Sequence, residues 1–110
     1  MSSERDPIYL RRVDELIADL ADRFDAFDPD EVEAETSGGV LKLTFADGSR
    51  CVLNRQAAAS QVWLAEGATA WHFCWDEEAA HWSDTKGRGE LRAILSEIVG
   101  RKIGRATQLG

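Results

Sequence analysis

Apolar residues recur at steps of three and four along the first part of the chain: Tyr9, Val13, Leu16, Ile17, Leu20, Phe24 and Phe27. That stripe predicts an amphipathic helix with one face on a core. Asp6-Pro7 marks its start, an N-cap followed by proline at the first helical position. Asp28-Pro29-Asp30 marks its end, because proline disfavours the α conformation of the residue before it. The period then changes to two. From Glu31 to Thr36, Val32, Ala34 and Thr36 fall on one side and Glu31, Glu33 and Glu35 on the other. A strand so charged belongs at a sheet edge, where charge blocks edge-to-edge pairing. Leu41, Leu43 and Phe45, then Cys51 and Leu53, continue the alternation on either side of Asp47-Gly48, which supplies the positive φ angles of a hairpin turn.

Ala57-Ala58-Ala59 reads as a short connection, and Val62 and Leu64 predict the next strand. After a turn at Glu66-Gly67, Trp71, Phe73 and Trp75 alternate with His72 and Cys74, which predicts three aromatic rings in the core. Asp76-Glu77-Glu78 is a loop, and His81-Trp82-Ser83 a last short strand with Trp82 inward. Gly87-Arg88-Gly89 leads into a second helix whose apolar face is Leu91, Ile94, Leu95 and Ile98, with Gly100 as its C-terminal cap. Residues 101–110 read as a tail, from which Ile103 or Leu109 can tuck between the helices.

The order is therefore helix, five or six meandering strands, helix. Each helix has one apolar face and the sheet has one strongly apolar face. The simplest solution is an α+β fold: a two-layer α/β sandwich with both helices on one face of an antiparallel sheet. With 110 residues, the chain reads as a single domain over 1–110.

Charge changes the picture. The first 36 residues hold 12 Asp/Glu against 4 Arg, and the remaining 74 hold 8 against 9 Lys/Arg, so the net charge of −7 lies in the first third. That argues against nucleic acid, which needs a basic footprint, and for cations or a basic protein patch as partner. No run of about 18 apolar residues predicts a membrane span. Met1 to Asp6 lacks a basic-then-apolar leader pattern, so a cytoplasmic location is expected. Cys51 and Cys74 form no metal-type spacing; Cys51 alternates with the core and Cys74 points outward, and no structural disulfide is expected.

Two places carry candidate chemistry. Asp22, Asp25, Asp28, Asp30, Glu31, Glu33 and Glu35 run down the end of the first helix, round a corner and along the edge strand, against one cation, Arg23. Asp19, one turn earlier, extends the set. Carboxylates without His or Cys form a hard-oxygen site that suits Fe²⁺, Fe³⁺, Mn²⁺, Ca²⁺ or Mg²⁺ and selects poorly among them. Binding there should be weak and solvent-shared, on the order of micromolar. The other reading of the same residues is a solvated acidic surface. The second place is Trp63. If Val62 and Leu64 face the core, Trp63 turns to the uncovered face, with Asn54, Arg55, Gln56 and Gln61 on or beside it and His72 sharing it. A large aromatic among uncharged hydrogen-bonding groups suggests a partner surface; the alternative is a ring that fills a gap under a loop.

Gly-Gly-Val-Leu at 38–41, Asp-Gly-Ser at 47–49, Asn-Arg-Gln at 54–56 and Gln-Val-Trp-Leu-Ala at 61–65 occur in that order and spacing. The string resembles the bacterial branch of the frataxin family, and the resemblance runs from about Asp6 to Gly100. It implies the same α/β sandwich and an iron-binding accessory role in iron–sulfur cluster assembly, with cysteine desulfurase and the scaffold protein as partners. It implies iron ligands at Asp22, Asp25, Asp28, Asp30, Glu31 and Glu33, with Asp22 and Asp25 first, and a partner surface at Asn54, Arg55, Gln56, Gln61, Trp63 and His72. His72 is also a candidate auxiliary ligand. Ala21 and Ala26 fall where bacterial relatives often carry acids, so this ridge should hold fewer ions. The resemblance further implies a monomer that oligomerises under excess iron, and a binding protein rather than an enzyme, with at most slow iron oxidation. Two alternatives stay open: a purely regulatory docking module for the desulfurase, and an iron-storage or ferroxidase protein.

Overall fold

The structure, a computed structural model, describes residues 6–110; the leader reading at residues 1–5 lies outside them. Helix α1 spans Pro7–Phe24, and the Asp6 carboxylate caps it by accepting from the Ile8 and Tyr9 amides at 3.0 and 3.3 Å. Six strands follow: β1 Val32–Ser37, β2 Val40–Phe45, β3 Arg50–Gln56, β4 Gln61–Glu66, β5 Thr69–Asp76 and β6 His81–Asp84. Each pairs antiparallel with the next, giving one sheet in the order β1-β2-β3-β4-β5-β6. Helix α2, Leu91–Ile103, closes the order, its N-terminus capped by the Glu90 carboxylate on the Arg92 and Ala93 amides.

The core lies between the sheet and the two helices. Val13, Leu16 and Leu20 of α1 and Leu91, Leu95 and Val99 of α2 are buried with Leu41, Leu43, Cys51, Leu53, Val62, Leu64, Phe73 and Trp82 of the strands. Tyr9 fixes the start of α1 to the sheet: its hydroxyl donates to the Gln61 carbonyl at 2.6 Å. The outer face of the sheet carries no helix. One row on it runs Val40, Asn54, Trp63, His72 across β2 to β5, and another runs Gln56, Gln61, Cys74, Ser83 across β3 to β6.

Several local expectations need correction. α1 stops at Phe24, before the Asp28-Pro29 corner: the Asp25 amide still donates to the Ala21 carbonyl, and the Ala26 and Phe27 amides then make tighter bonds to Arg23 and Phe24. Phe27 keeps its place beside Phe24, ring centroids 5.2 Å apart. Thr36 is exposed, since it lies where β1 runs out from under the helices. Gly38-Gly39 forms the turn between β1 and β2; both residues have positive φ, 52° and 83°, as a two-residue hairpin of this kind requires. At the next hairpin only Gly48 has positive φ, 84°, and Asp47 instead accepts from the Ser49 amide and hydroxyl.

Trp71 and Trp75 are half-buried rather than core, because each lies at the rim with an arginine over its ring: Arg88 at 5.5 Å and Arg12 at 4.4 Å. Only Phe73 of the three is fully enclosed. Gly100 is not the cap of α2. The helix runs on to Ile103, and Gly104, φ 78°, caps it. Gly100 is needed for a different reason: a Cβ there would sit 3.0 Å from the Arg105 carbonyl oxygen, so glycine lets the tail cross the helix. Leu109 then returns to the core, 1% exposed, with its amide donating to Ser96 Oγ and its carbonyl accepting from Arg92.

Candidate functional site

The acidic ridge begins where α1 ends. Asp22 and Asp25 are exposed at the helix C-terminus, where unsatisfied carbonyls already carry partial negative charge. The loop beyond is held by Asp28: its carboxylate accepts from the Asp30 amide at 2.9 Å, and its carbonyl from the Glu31 and Val32 amides. This loop delivers Asp28 and Asp30 to the surface and passes the chain into β1, where Glu33 points outward. Among the described residues, Asp22, Asp25, Asp28, Asp30 and Glu33 have no cation within ion-pair distance. No three carboxylate, imidazole or thiol groups among the described residues converge closely enough to enclose an ion. What the ridge offers is a line of hard-oxygen donors with a strong negative field and open solvent access.

Asp19, Glu31 and Glu35 stand differently from the other five, and Glu35 pairs with Lys42 of the neighbouring strand at 3.5 Å. Asp19 turns toward α2 and accepts from Arg23 Nε at 2.9 Å and Arg92 at 2.6 Å. The two guanidinium groups hold its carboxyl below the usual range, and it belongs to the helix–helix joint rather than the free ridge. Glu31 is half-buried under the tail, where Arg105 pairs with both of its oxygens. The i,i+4 spacing of Asp19 and Arg23 was a readable signal in the sequence. Arg92 and Arg105 had none, since each acts across more than 70 residues.

The open sheet face gathers most of the second set. Asn54, Trp63 and His72 lie in one row, and Gln56 and Gln61 in the next. Trp63 is held on both sides: its indole N–H donates to Gln61 Oε1 at 2.8 Å, and its ring stacks on His72 at 4.1 Å and 14°. It is therefore a braced platform on the face, not a plug beneath a loop. Arg55 departs from the set. Its register partner is Val62, which faces the helices, so it projects to the other side and lies against Gly39. His72 sits on β5, four strands from β1, and does not join the carboxylate ridge. Cys74 is exposed on the same face, with Gln61 Nε2 at 3.4 Å. Cys51 is enclosed, and burial pushes its thiol up to about 12, so it stays a neutral core group.

A family model described as a frataxin-like domain matches residues 2–105. The chain belongs to the frataxin family. Two relatives from bacteria carry the name iron–sulfur cluster assembly protein CyaY. That of Cupriavidus metallidurans is 37% identical over 94 residues, 86% of this chain and 82% of its own. That of Cupriavidus necator is 36% identical over 101 residues, 92% of this chain and 86% of its own. Among solved structures, the frataxin of Psychromonas ingrahamii superposes with a TM-score of 0.85 at 20% identity, over 100% of this chain and 99% of that one, which establishes the shared fold. A trimeric frataxin from the yeast Saccharomyces cerevisiae, described as a ferrous complex, gives 0.67 at 25% identity over 96% of this chain and 88% of its own. The frataxin-like sandwich thus places an acidic helix end and edge on one border and a braced Trp63–His72 pair on the bare sheet face.

Proposed function

We propose that this frataxin-like chain is an iron-binding accessory of iron–sulfur cluster assembly, taking iron as cargo on its acidic ridge and presenting it to the cysteine desulfurase–scaffold machinery. The observation that carries the reading is the set of five exposed carboxylates without cationic partners, Asp22, Asp25, Asp28, Asp30 and Glu33, strung along one border. Their oxygen-only chemistry suits Fe²⁺ and Fe³⁺ and admits other divalent cations. The names of the curated relatives and the ferrous complex of the yeast protein support the same assignment.

The test is an anaerobic Fe²⁺ titration of the double variant Asp22→Asn, Asp25→Asn. Iron binding should weaken by about tenfold or more, since two adjacent oxygen donors lose their charge. The fold should be unharmed, because both side chains are exposed and their loss relieves repulsion at a helix C-terminus. A titration superimposable on that of the unaltered protein would sink the ridge reading.

The open face is the proposed contact for the assembly proteins, with Trp63 as anchor beside Asn54, Gln56, Gln61 and His72. Trp63→Ala should leave iron binding alone and cost the partner complex about 2 kcal/mol, a loss of roughly 30-fold in affinity. Equal affinity of both forms, measured by calorimetry with the purified scaffold protein, would remove Trp63 from the interface. One feature favours a regulatory role beside delivery: the ridge carboxylates are spread out rather than caged, a layout that steers a basic protein patch as readily as it holds an ion. Docking of that kind weakens steeply with salt, whereas direct carboxylate–iron bonds respond less.

A further inference from the structure

We infer that Arg105 is an internal competitor for the ridge, the residue that sets how many of its carboxylates a cation can reach. This rests on the metal reading above. One guanidinium nitrogen of Arg105 spans both Glu31 oxygens at 3.1 and 2.9 Å, and its carbon lies 5.6 Å from the Phe27 ring centroid, between α1 and β1. The position of Arg105 is built, not incidental. Its amide donates to the Gly100 carbonyl, and its own carbonyl is received by the bare Cα of Gly100 and bonded by Thr107 Oγ1 at 3.2 Å. Four residues on, buried Leu109 pins the tail to Ser96 and Arg92. The side chain is thus delivered to Glu31 from a backbone fixed on both sides.

Glu31 sits next to Asp30 and two residues before Glu33, in the middle of the free donors. A metal ion that recruits Glu31 must first displace the guanidinium. An exposed ion pair of this kind is weak, so the competition is modest and reversible: about a three- to fivefold reduction in cation affinity, confined to the β1 end of the ridge. Asp22 and Asp25, with no such neighbour, fill first.

The experiment is a double-mutant cycle read by anaerobic Fe²⁺ calorimetry on the full chain. Arg105→Ala should bind the Fe²⁺ that follows the Asp22–Asp25 ion about three- to fivefold more tightly. Arg101→Ala removes a positive charge from the same helix end, where its partner is Glu66 away from the ridge, and should gain less than twofold. Glu31→Gln alone should change little, because that carboxylate is already engaged, and in the Arg105→Ala background it should erase the gain. The Leu109 amide signal in Arg105→Ala reports that the tail is still docked. If Arg105→Ala titrates like the unaltered protein, or Arg101→Ala matches it, Arg105 exerts no contact-specific competition and the inference is wrong. If the Asp22, Asp25 double variant also leaves binding unchanged, the ridge reading falls with it.

Discussion

Replacing Asp84 by alanine is expected to destabilise the fold by about 3 kcal/mol, enough to lower the melting temperature by roughly 10 °C or more. The Asp84 side chain has no solvent exposure, although it ends a strand and carries a charge. Alternation along β6 puts it on the face of Trp82, opposite Phe73 in the register. There it accepts from Arg88 Nε at 2.8 Å and Arg88 Nη2 at 3.0 Å, a two-point fork, and from the Lys86 and Arg88 amides. Arg88 in turn donates to the Ala70 carbonyl and covers Trp71. Alanine would leave two amides and a guanidinium without their acceptor, and stranding the partner of a buried charge costs more than the pair itself contributes. Arg88 is about one-third exposed, which holds the loss near the lower end of the range for such pairs.

The same carboxylate carries an acid limb of stability. The Arg88 fork pulls its pKa down to about 2 from an ordinary 3.8. The folded state therefore prefers the ionised form more than the unfolded chain does. That preference is complete above the unfolded value and disappears as pH falls from about 4 through about 2. Urea midpoints measured between pH 5 and pH 2 should fall for the unaltered protein and show a flatter profile in Asp84→Ala. Parallel profiles would mean that other carboxylates dominate the acid limb.

Why the sequence revealed the layers but not this joint is a matter of range. Burial periodicity is local, so the stripe from Tyr9 to Phe24 and the alternations around Leu41, Leu53 and Val62 are readable residue by residue, and with them the sandwich. The same parity turned Trp63 and His72 to the bare face, where they stack. At strand ends and rims parity fixes the side but not the burial. Arg55 follows Leu53 and Val62 to the helix side yet stays exposed, and Trp71 and Trp75 share Phe73's side but are only half-buried, with Arg88 and Arg12 over their rings. Long-range ion pairs leave no trace in spacing at all. Composition shows that acids crowd the first third, but not that Arg92 removes Asp19 from the ridge and Arg105 covers Glu31. Glycine is ambiguous in the same way: Gly100 reads as a helix stop, and only the path of the tail reveals it as a crossing point.

The tail is also where the second large stability effect is expected. Leu109→Ala should cost about 2–4 kcal/mol, the usual range for emptying a leucine site in a closed core. Leu109 is as buried as Leu41 or Leu95, although it is the second-last residue of the sequence given. Its backbone bonds to Ser96 and Arg92 depend on that side chain staying in place, and Arg92 is the residue that ties α2 to Asp19 of α1. Losing the anchor should therefore loosen the helix–helix joint as well as open a cavity. Ile8→Ala is the matched control: Ile8 is 57% exposed on α1, and its truncation should change stability by no more than about 0.5 kcal/mol. Chemical denaturation of the two variants decides the matter. Equal midpoints would mean that the tail contributes nothing to the cooperative fold. A large loss for Leu109→Ala alone, accompanied by faster amide exchange along Ser96 to Val99, would establish the tail as part of the core. It would also show that the backbone from which Arg105 reaches Glu31 is held in place by the packing of Leu109.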